Sequence, residues 1–294
     1  MNLRGLGVAM VTPFDSNGNI DFQSIPTIVE NISTGRANYI VIMGTTAEVV
    51  CLSSQEKKAV IEAVVKANKS KLPLVVGIGG NNTAKVVEEI KETDFTPFGA
   101  ILSVSPYYNK PSQEGIYHHY SAISKASPIP VIVYNVPSRT GSSVEVDTFM
   151  RLTENFDNII GIKDASGDML QAQEIIKCCS KDIQLISGDD ALTLPMILAG
   201  AVGTISVLGN ALPVPLVKMI HLIEEGDLKK AYELHYQLLD LINLLFEEGN
   251  PVGIKALMEC LGICLKQVRL PLVSASAHLK ERMEKILEDS IHAL

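Results

Sequence analysis

Eight short apolar runs, spread over the first two thirds of the chain, constrain its fold more than any other feature. They are rich in Val and Ile, and most lead into small or polar residues. Their apolarity is continuous rather than alternating, which is typical of strands buried on both faces of a parallel sheet. The runs are residues 7–14, 39–44, 73–79, 99–106, 129–137, 159–166, 183–190 and 203–209.

Helical spacing lies between most of these runs. Residues 53–69 carry an apolar stripe, with Ser53 or Ser54 as a candidate N-cap, and residues 82–92 and 112–126 have a similar pattern. Eight alternating β-α units predict an α/β fold, a closed (β/α)8 TIM barrel. An open doubly wound sheet usually has fewer strands, with a glycine fingerprint after the first, and none is present here.

The last third of the chain changes character and is almost entirely helical in pattern. Two amphipathic helices separated at Gly226 and Asp227 are followed by further helical segments. We predict that residues 1–212 form the barrel core. Residues 213–294 are predicted to hold the last barrel helix and a C-terminal helical extension, and no linker composition marks the extension as an independent domain.

Composition excludes several classes of function. The net charge is −8 without a basic run, which argues against nucleic acid as a partner. No segment approaches the ~20 apolar residues of a membrane span, and the N-terminus lacks the pattern of a signal peptide. Five cysteines without CxxC spacing are typical of reduced thiols. We therefore expect a cytoplasmic protein with no membrane partner.

The run at 159–166 places Lys163 at the end of a predicted buried strand. Burying an ammonium group is costly, so an inward lysine is either paired or loses its proton. A desolvated, neutral lysine is a nucleophile toward carbonyl groups and forms Schiff bases. The alternative is a structural lysine that points outward or pairs with Asp164 or Asp189.

Other polar residues collect at predicted strand ends, where barrel enzymes place their catalytic groups. Thr45 and Thr46 are suited to hold a carboxylate, but taken alone they are more typical of an ordinary βα turn with Thr46 as a helix N-cap. Tyr134 is a candidate proton carrier or a core tyrosine. Arg139 is a candidate carboxylate ligand or a solvated loop residue.

Two further strand ends carry distinctive residues. Tyr107 and Tyr108 lie on a loop between two prolines, where aromatic side chains serve as interface anchors as often as catalysts. Asp190 is interpreted as a helix N-cap, because no histidine cluster accompanies it to form a metal site.

Taken together, these strand ends resemble the dihydrodipicolinate synthase/N-acetylneuraminate lyase family of class I aldolase-type barrels. The resemblance extends from about Gly7 to the C-terminal helices. It is carried, in the family's order, by GTTAE (44–48), SPYYNKPSQEG (105–115), YNVPSRTG (134–141), GIKDASG (161–167) and SGDD (187–190).

The resemblance implies roles for individual residues. Lys163 would form an imine with pyruvate, and Thr45 and Thr46 would hold the pyruvate carboxylate. Thr45, Tyr134 and Tyr108 would form a hydroxyl relay, with Tyr108 reaching into the site of a neighbouring subunit. No metal and no dissociable cofactor would be required, because the protonated imine is itself the electron sink.

The resemblance also implies the second substrate. Arg139 would bind the carboxylate of aspartate semialdehyde, and backbone groups at Gly188 and Ile205 would line the pocket near the imine. The activity would be condensation of pyruvate with this aldehyde in lysine and diaminopimelate biosynthesis, by a homotetramer built as a dimer of dimers. The alternatives are a 2-keto-acid aldolase acting on a sugar acid, such as N-acetylneuraminate or 2-keto-3-deoxygluconate, and a non-catalytic acid-binding barrel.

Two departures from the family pattern have consequences. Ala47 replaces a glycine common in the family, which is acceptable where φ is negative. Asn81 and Tyr107 match the lysine-inhibitor pocket of some relatives, but Lys57 and Lys85 stand where inhibited relatives favour a histidine and an acid. We expect inhibition by free lysine to be weak or absent, because these two cationic side chains would repel the cationic amino acid.

Overall fold

The computed structural model describes residues 1–180 and 182–290. Its eight strands form a closed barrel in which each strand neighbours the next along the chain, and every strand pairing described between them is parallel. The strands are β1 (Gly5–Ala9), β2 (Tyr39–Ile42), β3 (Leu74–Gly77), β4 (Phe98–Val104), β5 (Val131–Asn135), β6 (Ile159–Asp164), β7 (Gln184–Ser187) and β8 (Gly203–Ser206). Each overlaps one of the eight predicted runs, which confirms the TIM barrel.

Helices separate the strands and continue after β8. They are α1 (Ser24–Thr34), α2 (Ser54–Ala67), α3 (Thr83–Glu92), α4 (Gln113–Ala126), α5 (Pro137–Thr140), α6 (Val146–Asn155), α7 (Met169–Cys178), α8 (Thr193–Ala199), α9 (Pro213–Glu224), α10 (Leu228–Glu247), α11 (Val252–Cys260) and α12 (Ala277–Ser290). Within the described ranges, no helix is long and apolar enough to cross a membrane.

The chain forms two compact units, each made of two segments. The first contains Met1–Arg4 and Pro73–Ile205, and the second contains Gly5–Leu72 and Ser206–Leu294. The predicted division at residues 212 and 213 stays a prediction, and the last four residues of the predicted extension lie outside the described residues.

The first unit is built on parallel strands whose side chains are buried on both faces. Fully buried residues of these strands include Val75, Ile101, Val133, Ile162 and Ile186. This burial explains the continuous apolar pattern of the sequence, because neither face of a barrel strand meets water.

The second unit contains β1, β2, α1, α2 and the helices from α9 onward. At its centre, the side-chain amide of Asn210 donates to the carbonyl oxygen of Ala9 at 2.8 Å and accepts from the backbone N–H of Val11 at 3.0 Å. Gly7 leaves space for an aromatic ring, since a Cβ there would lie 2.2 Å from the ring of Tyr39. Helix α10 packs against α9 and α11, and α11 packs against α12.

Candidate active site

Lys163 and Tyr134 lie side by side near the carboxyl ends of β6 and β5. The strand register pairs these two residues directly. The Lys163 Nζ lies 4.4 Å from the centroid of the Tyr134 ring, and the two residues are only 5% and 6% exposed. An aromatic face can stabilise a protonated amine or iminium electrostatically, while the surrounding apolar strands keep water away from the nitrogen.

Lys163 does not form the structural ion pair that the sequence left open. Among the described residues, no ion pair joins it to Asp164 or Asp189. Asp164 instead accepts hydrogen bonds from Asn135 Nδ2 at 3.0 Å and Ser166 Oγ at 2.9 Å. Asp189 accepts from the backbone N–H of Ala191.

Gly188 lies directly against the lysine side chain. A Cβ at this position would be 3.0 Å from Lys163 Cε and 2.7 Å from the Cβ of Ala165. The Gly188 N–H donates to the carbonyl oxygen of Asp164 at 2.7 Å, which ties the loop after β7 to the end of β6. The glycine therefore gives the lysine side chain room that no other residue would leave.

A polar network behind β6 was not foreseen from the sequence. Strand register pairs Asn135 with Asp164, one position after the Tyr134 and Lys163 pair, so these residues alternate to the other side of the strands. Asn135 also accepts from the backbone N–H of Val144 at 2.9 Å. Burial raises the pKa of the Asp164 carboxyl group. The only sequence signal was an asparagine and an aspartate adjoining the two site residues.

Ile205 and Arg139 belong to the same unit as Lys163. Ile205 is fully buried near the end of β8. Arg139 is exposed on the short helix α5, which begins with a proline that favours a helical first turn. Arg139 therefore follows the end of β5, and Ile205 lies within β8.

Tyr108 departs from the ordinary conformation of a tyrosine. Its φ is 72°, in the left-handed region that non-glycine residues seldom adopt, and its side chain is 90% exposed. The neighbouring Tyr107 backbone carbonyl accepts a hydrogen bond from Asn81 Nδ2 at 3.2 Å. The loop thus displays a large aromatic side chain to the outside of the single chain.

Thr45 and Thr46 lie in the second unit, in a short 3-10 turn that follows β2. Thr46 is buried, and its Oγ1 accepts a hydrogen bond from Asn250 Nδ2 at 3.1 Å. Thr46 does not cap α2, because Ser53 does. Ala47 belongs to the 3-10 turn, and the left-handed residue is Glu48 with φ of 53°, so alanine causes no backbone strain here.

One predicted cap was misassigned by a single residue. Asp189, rather than Asp190, supplies the side chain that caps the 3-10 turn after β7. The two adjacent acids are equivalent in composition, and only the backbone geometry of the turn distinguishes them. Among the described residues, no cluster of three or more His, Cys, Asp or Glu side chains is arranged to hold a metal ion.

The inhibitor-pocket residues also have defined positions. Asn81 lies just before α3, and the exposed Lys85 lies in the first turn of that helix. Lys57 is half-buried in α2. The expectation of weak lysine inhibition stays a prediction.

Comparison with known proteins identifies the family. The sequence pattern of the dihydrodipicolinate synthetase family matches residues 2–290. The chain is 51% identical over 280 residues to a 4-hydroxy-tetrahydrodipicolinate synthase of Flavobacterium psychrophilum, covering 95% of this chain and 96% of that protein.

Solved structures agree with the sequence match. Dihydrodipicolinate synthase from Aquifex aeolicus superposes with a TM-score of 0.94 at 36% identity, covering 98% of both chains. The Acinetobacter baumannii enzyme, solved in complex with pyruvate, gives a TM-score of 0.93 at 37% identity, covering 98% of this chain and 99% of that one. With a buried lysine beside a tyrosine at the strand ends of a closed barrel, the chain belongs to the dihydrodipicolinate synthetase family.

Proposed function

We propose that the chain condenses pyruvate with L-aspartate 4-semialdehyde to give 4-hydroxy-tetrahydrodipicolinate, through an imine between pyruvate and Lys163. The observation that carries the proposal is the Lys163 amine, buried in an apolar strand and packed over the Tyr134 ring. A lysine side chain held in such a site can form a Schiff base with a carbonyl substrate. The names of the relatives support the choice of substrates.

The reaction begins and ends at the Lys163 Nζ, which forms a covalent bond with pyruvate and is later released. The neutral Lys163 amine adds to the C2 carbonyl of pyruvate, and loss of water gives the imine. Loss of a C3 proton gives an enamine, whose C3 attacks the aldehyde carbon and forms the new carbon–carbon bond. The aldehyde oxygen takes up a proton and becomes a hydroxyl group, and the imine at C2 is restored. The amino group of the former aspartate semialdehyde then adds to the imine carbon, closes the ring and releases Lys163. No dissociable cofactor is needed, because the protonated imine accepts the electron pair.

The remaining residues take the roles implied by the family resemblance. Thr45 and Thr46 hold the pyruvate carboxylate, and Tyr134 moves protons between the reacting groups. Tyr108 completes the hydroxyl relay with Thr45 and Tyr134. Arg139 binds the carboxylate of the aldehyde substrate, for which a planar guanidinium is suited.

Gly188 and Ile205 line the pocket beside the imine. Gly188 is supported in this role by its contact with the lysine side chain, where a Cβ would lie 3.0 Å from Cε. For Ile205, whose side chain is fully buried near the end of β8, the role belongs to the backbone and rests on the family resemblance.

We further propose a homotetramer, built as a dimer of dimers, in the cytoplasm. An exposed tyrosine held in a left-handed conformation at position 108 is the support for a subunit contact at that loop. The five cysteines are all free thiols, which is typical of a reducing compartment.

Borohydride reduction in the presence of pyruvate tests the lysine role. We expect a pyruvate-derived mass increase on the peptide that contains Lys163, and none in Lys163→Ala. The exposed Lys66, at the end of α2, offers a matched control, since Lys66→Ala should be labelled like the wild type. A labelled Lys163→Ala variant, or an unlabelled wild type, would refute the proposed chemistry.

A substrate comparison separates the synthase from a sugar-acid aldolase, which uses the same imine. We expect turnover with pyruvate and aspartate semialdehyde, and none with N-acetylneuraminate or 2-keto-3-deoxygluconate. Substitution of Arg139 by Leu should raise the KM for the aldehyde while pyruvate labelling continues. Cleavage of a sugar acid at a comparable rate would favour the aldolase instead.

A further inference from the structure

A buried ion pair joins helix α11 to the turn that follows β2. Glu48 Oε1 accepts a hydrogen bond from Lys255 Nζ at 2.6 Å, and the two side chains are 1% and 0% exposed. Removing two charges from water is so costly that a buried pair is seldom a net source of stability compared with an apolar pair. The pair therefore calls for an explanation other than stability.

The groups around the pair are engaged as well. The second oxygen of Glu48, Oε2, accepts from the backbone N–H of Arg269 at 2.9 Å. The Lys255 Nζ donates to the carbonyl oxygen of Gln267 at 2.8 Å and lies 4.1 Å from the centroid of the Phe14 ring. A polar network satisfied in this way permits one arrangement of its members and penalises others.

Arg269 fastens the network to the segment after the turn. Its Nη2 pairs with Glu56 Oε1 at 2.6 Å, and its Nη1 donates to the carbonyl oxygen of Cys51 at 3.0 Å. Its guanidinium carbon lies 4.5 Å from the centroid of the same Phe14 ring. Arg269 thus binds the segment 48–56 through hydrogen bonds from both its backbone N–H and its side chain.

The network acts on a turn with an unusual backbone. Glu48 adopts a φ of 53°, which a glutamate takes only where its surroundings impose it. Its N–H donates to the carbonyl oxygen of Thr45 at 3.0 Å and closes the turn. Asn250, just before α11, donates to the Thr46 hydroxyl at 3.1 Å. The C-terminal region therefore holds the turn at two points, Thr46 and Glu48.

We propose that Glu48 and Lys255 are positioning residues that hold Thr45 and Thr46 in the geometry needed to bind the pyruvate carboxylate. The proposal rests on the function proposed above, and it makes the C-terminal helices part of the substrate-binding apparatus. Neither charged group is available to substrate, because each is buried and bonded within the protein. They act through the turn alone.

The test separates stability from binding with the double variant Glu48→Gln/Lys255→Met. Each single variant leaves one buried charge without its partner and is expected to lower Tm. The double variant removes both charges and should recover most of that loss. The double variant should nevertheless need a pyruvate concentration roughly tenfold or more higher than the wild type for half-maximal imine trapping, because the turn is misplaced. The KM for the aldehyde should be unchanged.

The pair of Lys280 with Glu259 provides the control. It joins α12 to α11 at 2.8 Å, so Lys280→Met perturbs the same helices without removing a group that contacts the turn. This variant should bind pyruvate like the wild type. Wild-type pyruvate saturation in the double variant would overturn the proposal.

A double variant that fails to fold would also overturn the proposal, by making the network a requirement of folding. Absence of trapping in the wild type is a different result, because it would refute the proposed function itself.

Discussion

At position 188, the absence of a side chain determines the space available to Lys163. An added Cβ would lie 2.7 Å from the Ala165 Cβ and 3.0 Å from Lys163 Cε, which is closer than ordinary contact distances. Gly188→Ala is therefore expected to displace the lysine side chain, and overpacking of this kind costs roughly 1–3 kcal/mol. We expect imine formation with pyruvate to slow by about tenfold or more, measured by borohydride trapping over time.

A second glycine in the same unit offers the control. A Cβ at Gly80 would lie 3.5 Å from Val86 Cγ2, an ordinary contact, and its φ is not in the left-handed region. Gly80→Ala should trap pyruvate at the wild-type rate. Equal rates for both alanine variants would show that Gly188 does not control the position of the amine.

At the scale of an element, α2 shows how one residue fixes where a helix begins. The Ser53 hydroxyl accepts from the backbone N–H of Glu56 at 3.2 Å, and the Glu56 carboxylate accepts from the backbone N–H of Ser53 at 2.8 Å. Ser53→Ala should lower the free energy of unfolding by about 1 kcal/mol. Ser54→Ala, inside the helix, should have little effect on the free energy of unfolding. Urea unfolding of both variants measures the difference. Equal effects of the two changes would contradict the capping box.

Helix α4 carries a buried histidine that should make stability depend on pH. Burial lowers the pKa of His119 to about 4, and its Nε2 has no hydrogen-bond partner among the described residues. In the unfolded chain the imidazole regains a pKa near 6.5. As the pH falls below that value, the unfolded state binds a proton that the folded state does not bind. The free energy of unfolding therefore decreases until the pH reaches about 4.

Substitution of His119 tests this dependence. Between pH 8 and about pH 4.5, the wild type should lose on the order of 2 kcal/mol more stability than His119→Gln, measured by urea unfolding. His118, the adjacent residue on the same helix, is largely exposed. His118→Gln should therefore keep the wild-type pH dependence. A wild-type profile in His119→Gln would show that this imidazole does not carry the effect.

For the whole molecule, the barrel was predictable because its signal is local. Strands buried on both faces must be apolar throughout, so each run is visible within about eight residues, and the turn at Gly226 and Asp227 separates α9 from α10 as expected. The candidate site could be predicted from the sequence for a related reason. Carboxyl ends of barrel strands gather functional groups, and Lys163 interrupts an apolar run at such an end.

What the sequence did not indicate depends on contacts between distant residues. Glu48 and Lys255 are 207 positions apart, and neither residue suggests a partner in its own neighbourhood. Lys255 appears as a single lysine in an apolar helix, which alone is consistent with an outward side chain. The left-handed backbone of Tyr108 and the choice of Asp189 over Asp190 as a cap are likewise set by tertiary geometry, which local propensity does not encode.

The assembly gives the last prediction, which depends on Tyr108 acting in a neighbouring subunit. Tyr108→Phe keeps the ring but removes the hydroxyl, and Lys163→Ala removes the nucleophile, so each variant alone should have little activity. If the two variants are mixed and allowed to exchange subunits, half of the dimers contain one of each. In those dimers one site combines an intact Lys163 with an intact Tyr108, so activity should recover to about a quarter of the wild-type value. The measurement is the condensation rate before and after exchange.

A mixture of Lys163→Ala with Tyr134→Phe is the control, since Tyr134 packs against Lys163 of its own chain and no mixed dimer contains a complete site. If the first mixture stays inactive despite proven exchange, Tyr108 serves only its own subunit.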